Sequence, residues 1–484
     1  MCFLFLCGIL LLGVVNAQFP YLNNKTQEFA VNGSAIPNVT FDIGESYAGY
    51  LPNTVTGYPS SNLYFWFFPS SNPNASDEIT VWLNGGPGCS SLAGLMLENG
   101  PFLWEPGTYA PVRNPFSWTN LTNVVYIDQP SGTGFSLGPS TAISEFDIAR
   151  QFTYFWKLFA RTFDLQNRKV YLTGESYAGQ YIPYIAAQML DMKNTTYFNV
   201  AGVQLNDPYI NDLTVLQDAP ALSAINHHPS LFPFNSAFKS HLTTLAQTCN
   251  YTTLLTTALT YPPPLTPFPP VSHSPNCTTL YTQILSAISA QNPCFNPSHI
   301  TDTCPPPWNP IGGPILSVGP GPTNYFNRSD VQAAINASPT DFSLCKGNIF
   351  RTPDGLDPSP PSSLGPLARV IEGTNNTLIA HGTLDFGLLV NGTLVSIQNM
   401  TWNGKKGFQR EPVEGLWVPF REGGGSGGGV LGTAHTERGL TWSEVWGSGL
   451  EIPRYSPGAA YRQLEFLLGR IDSLSDQVEK FSTE

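Results

Sequence analysis

Short apolar runs alternate with stretches of helical periodicity along much of the chain. Five of these runs predict buried strands, at residues 79–83, 124–127, 170–172, 200–205 and 377–380. Between the second and third runs, residues 143–163 predict a helix whose aromatic face packs on the sheet; the apolar positions are Ile148, Phe152, Phe155, Phe159 and Phe163. This alternation favours an α/β fold with a mostly parallel central sheet and helices on both faces.

The alternation stops from about residue 207 to residue 341. Prolines crowd there, as in residues 261–264 and 305–307, and cysteines cluster. This segment is predicted to be a cap that is inserted over the carboxyl edge of the sheet and cross-linked by disulfides. The glycine-rich residues 423–429 predict a flexible loop inside the same domain, because a strand-like segment (440–445) and a helical one (459–468) still follow.

The first 17 residues predict a secretory signal peptide. Residues 3–15 are almost unbroken in apolar character, and Val15-Asn16-Ala17 is a small-residue cleavage pattern, although no basic residue precedes it. The run is shorter than the ~20 residues that cross a bilayer, so we expect no membrane span after cleavage and one domain over residues 18–484. Thirteen Asn-X-Ser/Thr sequons predict N-linked glycans and a place in the secretory pathway, extracellular or vacuolar.

Six cysteines remain after removal of the signal peptide, namely Cys89, Cys249, Cys277, Cys294, Cys304 and Cys345. An even number in a secretory chain predicts three disulfides, in any of fifteen connectivities. None of these cysteines forms a CxxC pair with matching histidines, so we predict no metal site and no cofactor.

Charged residues make up only 12% of the chain, against about 25% in typical globular proteins. The net charge is −12 and the isoelectric point is about 5.0. Because a nucleic-acid partner requires a basic surface, none is expected.

The hexapeptide of residues 174–179, Gly-Glu-Ser-Tyr-Ala-Gly, follows one of the predicted strands and opens the amphipathic stretch 181–190. A strand, a sharp glycine-flanked turn and a helix form a nucleophile elbow, which exposes the central serine for acyl transfer. Ser176 is therefore the candidate nucleophile. The same hexapeptide occurs at residues 44–49, but Ser46 has no preceding parallel strand, and a proline follows where a helix is needed.

Several motifs in the same order resemble those of the serine carboxypeptidases. They are residues 82–91 (WLNGGPGCSS), 98–101 (ENGP), 128–130 (DQP), the elbow at Ser176 and residues 381–385 (HGTLD). The resemblance extends from about Phe41 to Gly469 and includes the segment around Ser46. It implies an α/β-hydrolase fold and a disulfide between Cys89 and Cys345.

The resemblance also implies roles for individual residues. Ser176 is the expected nucleophile and Asp385 the acid that orients the base, while the backbone N–H groups of Gly86 and Tyr177 form the oxyanion hole. The expected partners of a substrate's free carboxylate are Asn84, Gly85, Glu98 and Glu175. The substrates implied are the C-termini of peptides or proteins.

Two of these expectations have an independent physical basis. Glycines directly after a strand, as at residues 85 and 86, let a backbone N–H approach a developing oxyanion, which is worth ~3 kcal/mol in the transition state. A glutamate such as Glu98 or Glu175 can bind a carboxylate only through a shared proton, so we expect binding to strengthen at acidic pH.

One position departs from the family pattern. Residues 449–453 are Gly-Leu-Glu-Ile-Pro where the family has Gly-His-Glu-Val-Pro, so Leu450 occupies the place of the catalytic histidine. An aliphatic side chain accepts no proton, and a serine protease without one triad member keeps only ~10³- to 10⁴-fold acceleration over water. His381 and His435 are the alternative bases considered, although each matches a non-catalytic position.

Three functions are compatible with this sequence. The first is a secreted serine-type carboxypeptidase that hydrolyses C-terminal peptide bonds at acidic pH, with activity impaired by Leu450. The second is a pseudoenzyme that binds peptide C-termini without cleaving them. The third is an acyltransferase or lyase on the same scaffold, which no residue singles out.

Overall fold

The computed structural model describes residues 20–54, 61–312 and 324–484, so the predicted signal peptide lies outside the described residues. The strands are β1 Ala30–Val31, β2 Ser46–Pro52, β3 Asn62–Phe68, β4 Glu78–Leu83, β5 Phe102–Leu103, β6 Val112–Arg113, β7 Val124–Asp128, β8 Lys169–Glu175, β9 Val200–Asn206, β10 Thr377–Gly382, β11 Thr401–Trp402, β12 Lys405–Lys406, β13 Glu414–Val418, β14 Gly429–Glu437 and β15 Leu440–Val445.

The helices are α1 Leu92–Gly94, α2 Glu145–Thr162, α3 Ala178–Asp191, α4 Ala219–His227, α5 Ser236–Thr248, α6 Tyr251–Ala258, α7 Leu280–Gln291, α8 Ser329–Ala334, α9 Pro366–Thr374, α10 Val390–Asn399, α11 Ile452–Tyr455 and α12 Pro457–Leu467. Two π-helical turns, Leu95–Asn99 and Thr214–Asp218, adjoin α1 and α4.

An eleven-stranded sheet forms the centre of the fold, in the order β1-β2-β3-β7-β4-β8-β9-β10-β15-β14-β13. The strands from β7 to β15 in this order pair in parallel, as the alternation of strands and helices predicts. Both edges are antiparallel. Between β14 and β15 only Arg438 and Gly439 intervene, both with positive φ, and such a two-residue turn closes an antiparallel hairpin. The sheet is therefore mixed, with a parallel centre.

Two apolar clusters cover the two faces of the sheet. Along β3, Phe65 and Phe67 belong to one cluster, and Tyr64 and Trp66 belong to the other, because successive side chains of a strand point to opposite faces. The first cluster contains the aromatic stripe of α2, and the second contains the buried face of α12. Helices thus cover both faces, and the stripe of α2 is core, as predicted.

The chain between β9 and β10 carries the helices α4 to α9. Several of them pack around a third apolar cluster that includes Ile225, Leu242, Leu254 and Ile284. Disulfides join Cys249 to Cys277 and Cys294 to Cys304. A third disulfide joins Cys89 to Cys345, the pairing that the family resemblance implies. Of the connectivities that the sequence left open, this is the one observed.

None of the helices in the described ranges combines the length and the apolar character that a bilayer span requires.

Candidate functional site

The hexapeptide around Ser176 forms a tight turn between β8 and α3. Ser176 has a φ of 58°, a left-handed backbone conformation that is strained for a residue with a side chain. Backbone hydrogen bonds fix it: its N–H donates to the Asn206 carbonyl at 3.0 Å, and its own carbonyl accepts from the Tyr209 N–H at 2.8 Å. Ser46, by contrast, is buried in β2, an antiparallel strand.

The glycine-rich loop after β4 packs directly against this turn. A Cβ on Gly85 would lie 2.3 Å from the Tyr177 nitrogen and 2.9 Å from the Ser176 Cβ, so only glycine allows this approach. Gly86 has a φ of 115°, which disfavours any side chain. In the described parts of the chain, the backbone N–H groups of Gly86 and Tyr177 donate to no protein acceptor. They remain available to an oxyanion, as the family resemblance implies.

Asn84, Glu98 and Glu175 come together although they lie on three separate segments. All three side chains are buried. The Asn84 Nδ2 donates to Glu175 Oε1 at 2.7 Å, while the Asn84 Oδ1 accepts from the Trp82 Nε1 at 2.8 Å. The amide is therefore held in one orientation, with its donor toward the two glutamates. Glu98 is therefore not a solvated surface charge.

The two glutamates share a protonation equilibrium. Burial raises the pKa of Glu98 to about 8, and the negative charge of Glu451 adds to this shift. Burial and the charge of Glu98 raise the pKa of Glu175 well above its usual range. Ionisation of both carboxyls costs free energy, because two buried negative charges in contact repel each other. The pair therefore holds at least one proton in acidic and neutral solution.

Asp385 follows β10 and is buried in an acidic cluster. Its Oδ1 accepts from the N–H groups of Gly387 and Leu388, at 2.7 and 3.2 Å. Its Oδ2 has no donor in the described residues, but the carboxyl of Asp207 lies within bonding reach. Burial and the neighbouring Asp207 raise the pKa of Asp385 well above its usual range. The two carboxyls therefore share a proton.

His381 belongs to the same cluster. Its Nδ1 lies 2.9 Å from Asp207 Oδ1 and donates a hydrogen bond to the Gly382 carbonyl at 3.2 Å. Burial lowers the pKa of His381, so the neutral ring is favoured. Asp207, His381 and Asp385 each offer a ligand atom within 4.8 Å of the others, which is the spacing of a metal site. Proton sharing between the two carboxyls, together with the hydrogen bond from His381 to the Gly382 carbonyl, accounts for this cluster without an ion. The prediction of no metal remains a prediction.

Leu450 lines the same cavity as Ser176 and Asp385. This cavity has a volume of about 700 Å³, and Gly86 and Tyr177 contribute to its wall. All seven histidines fall in the described ranges, and none of them lines the cavity. His381 is fully buried against Asp207, and His435 lies in β14, where its Nε2 is 3.1 Å from Glu437. Neither alternative base has a hydrogen bond to Ser176.

The buried carboxyls predict how stability depends on pH. Burial raises the pKa of Asp128 to about 6, that of Glu78 to about 7 and that of Glu98 to about 8. A raised pKa means that the native state binds more protons than the unfolded state between the two pKa values, so stability falls as pH rises there. We expect the melting temperature to fall by about 5 °C or more from pH 5 to pH 8.5.

Thermal unfolding at constant ionic strength measures this effect. Glu98→Gln should flatten the part of the curve above pH 7, because its amide does not ionise. A melting temperature that rises from pH 5 to pH 8.5 would show that these carboxyls are not protonated in the native state.

Some residues of the site were not identified from the sequence. Asp207 lies two residues after the predicted strand at residues 200–205, and this position was its only signal in the sequence. The hydroxyl of Tyr177 donates to Asp357 Oδ2 at 2.9 Å, and the buried Glu145 lies beside the same hydroxyl. These contacts join segments that are far apart in the sequence, so no local pattern indicates them.

Comparisons with known proteins agree with this geometry. The family described as serine carboxypeptidase matches residues 37–469. A carboxypeptidase Y homolog of Arthroderma benhamiae is 51% identical, over 94% of this chain and 90% of its own length. The serine-type carboxypeptidase F of Aspergillus niger is 42% identical, with the same two coverages.

A solved structure shows the same fold. It is a prohormone-processing carboxypeptidase from Saccharomyces cerevisiae, similar with a TM-score of 0.73 and 22% identity, over 93% of this chain and 98% of its own. The fold is therefore that of an α/β-hydrolase, and the chain belongs to the serine carboxypeptidase family.

Proposed function

We propose that this chain binds the free C-terminal carboxylate of peptides and hydrolyses the adjacent peptide bond only very slowly. One observation carries the proposal: the buried group Asn84, Glu98 and Glu175 is complete beside the elbow of Ser176, whereas an aliphatic side chain, Leu450, occupies the position of the base.

The carboxylate-binding half of the proposal follows from protonation. A proton held between Glu98 and Glu175 turns one carboxyl into a hydrogen-bond donor, and the Nδ2 of Asn84 is a second donor. A peptide carboxylate accepts both hydrogen bonds in a site from which water is largely excluded. Binding then requires the protonated pair, so acidic conditions favour it.

The second part of the proposal, slow hydrolysis, follows from the missing proton acceptor. A serine hydroxyl attacks a carbonyl efficiently only when a neighbouring base removes its proton. No imidazole lines the cavity of Ser176, and the aliphatic side chain of Leu450 has no atom that accepts a proton. The oxyanion donors and bound substrate alone supply ~10³- to 10⁴-fold acceleration over water.

Features of the whole chain support a secretory location, extracellular or vacuolar. The N-terminal apolar run has the pattern of a signal peptide, and thirteen sequons accompany it. Disulfides such as the three in this chain form in oxidising compartments. The relatives named carboxypeptidase support peptide C-termini as the ligand class.

Calorimetric titration tests the binding proposal. At pH 5.5 we expect a blocked tripeptide with a free C-terminal carboxylate to bind at least about tenfold more tightly than the same peptide with a C-terminal amide, because the amide loses a charge-assisted hydrogen bond. The amide peptide is the matched control. Equal affinities for the two peptides would refute carboxylate recognition.

A further inference from the structure

The cavity beside Ser176 extends away from the carboxylate-binding group. Ser176, Gly86 and Tyr177 line it, whereas Asn84, Glu98 and Glu175 are not among its lining residues in the described chain. A bound peptide has its free carboxylate at Asn84, Glu98 and Glu175 and the carbonyl of its last peptide bond at Ser176. Its penultimate side chain therefore enters this cavity.

The charged residues that line this cavity are all acidic. They are Asp212, Asp357 and Asp385, and no lysine, arginine or histidine accompanies them in the described lining. Burial and the neighbouring Asp207 raise the pKa of Asp385, which disfavours its charged form, so the negative charge of this wall comes from Asp212 and Asp357. Both are partly exposed, and neither forms an ion pair with a basic residue of the described chain.

Two tyrosines, Tyr177 and Tyr209, line the same cavity as these carboxylates. The ring of Tyr209 stacks on that of Tyr177, with centroids 5.3 Å apart. Burial raises the pKa of Tyr209, and the negative charges of Asp212 and Asp357 add to this shift. Asp357 is fixed by the hydrogen bond from the Tyr177 hydroxyl, at 2.9 Å, and Asp212 by accepting from the Val215 N–H, at 3.1 Å. Aromatic rings and carboxylates that line one cavity together attract a cation.

The rest of the wall is apolar. Leu213, Phe350, Leu356 and Leu388 line the same cavity. A long side chain with an aliphatic stem and a charged end matches this combination, since the stem packs on apolar surface while the head group reaches the acids.

We infer that this cavity selects peptides whose penultimate residue is lysine or arginine, with Asp212 and Asp357 binding the cationic head group. The inference rests on the proposed function, because the position of the cavity is defined relative to a bound C-terminal carboxylate. An aliphatic residue of equal length leaves both carboxylates without a counter-charge, and an acidic residue is repelled.

Titration with matched peptides tests the inference. The probes are acetyl-Ala-Lys-Phe, acetyl-Ala-norleucine-Phe and acetyl-Ala-Glu-Phe, each with a free carboxylate, at pH 6 and low ionic strength. We expect the lysine peptide to bind about fivefold or more tightly than the norleucine peptide, and the glutamate peptide to bind most weakly. In the double variant Asp212→Asn/Asp357→Asn, the lysine-to-norleucine ratio should fall below about twofold.

Asp354→Asn is the matched control, because Asp354 is an exposed acid of the same segment as Asp357 that does not line the cavity. The ratio of lysine-peptide to norleucine-peptide affinity in this control should equal that of the unaltered chain. If the double variant does not fold, Asp212→Asn alone should lower the ratio by about twofold to threefold.

Equal binding of the lysine and norleucine peptides, or a ratio unchanged in the folded variants, would overturn the inference while leaving carboxylate recognition intact. If no free-acid peptide binds better than its amide, the proposed function fails and the inference fails with it.

Discussion

Leu450→His is expected to raise kcat/KM for release of the C-terminal residue of a blocked dipeptide by about 10³-fold or more. The variant places an imidazole in the cavity that already contains Ser176 and Asp385. The Oδ2 of Asp385, which has no donor in the described chain, can then accept from the new ring and orient it. Rates of product release at pH 5 to 7 measure the effect.

Leu450→Gln is the matched control for this prediction, because glutamine adds a polar group of similar size that is not a base. It should leave the rate at the level of the unaltered chain. Ser176→Ala in the Leu450→His background should abolish the gain. A Leu450→Gln rate equal to that of Leu450→His would show that general-base chemistry is not what Leu450 removes.

The affinity for a peptide carboxylate is expected to fall about tenfold per pH unit above pH 8. The pKa of Glu98 is raised to about 8, so above this pH Glu98 becomes an anion that repels the peptide carboxylate, while Glu175, whose pKa is also raised, keeps the remaining proton. Below that pH the pair remains protonated and binding is constant, until the peptide carboxylate itself is protonated below about pH 3.5. Calorimetric titration from pH 5 to pH 9.5 follows the decline.

Glu98→Gln should remove much of this decline, because the amide donates a hydrogen bond at every pH. Glu105→Gln, at another partly buried carboxyl, should retain the decline of the unaltered chain. If the unaltered chain binds as tightly at pH 9.5 as at pH 6, the shared proton is not part of recognition.

The strands that place the site were predictable from the sequence because they are continuous apolar runs. Each of the five predicted runs lies in a strand of the sheet, and the elbow at Ser176 follows β8 as its glycines require. The two copies of the hexapeptide illustrate the limit of motifs. Only the strand before and the helix after a copy decide whether its serine is exposed, and Ser46 has neither.

Contacts between distant segments were not predictable in the same way. The meeting of Asp207 with Asp385 depends on the neighbouring positions of β9 and β10 in the sheet, which no single segment encodes. The antiparallel edges likewise result from hairpins such as that at Arg438 and Gly439. The protonation of the carboxyls follows from their burial, which becomes visible only in the folded chain.

Labelling of Ser176 by a fluorophosphonate is the most direct measurement of whether a base activates this serine. The account predicts negligible labelling of the unaltered chain over hours at pH 6 to 8, and rapid labelling of Leu450→His under the same conditions. Rapid modification of Ser176 in the unaltered chain, lost in Ser176→Ala, would contradict the claim that its proton acceptor is missing.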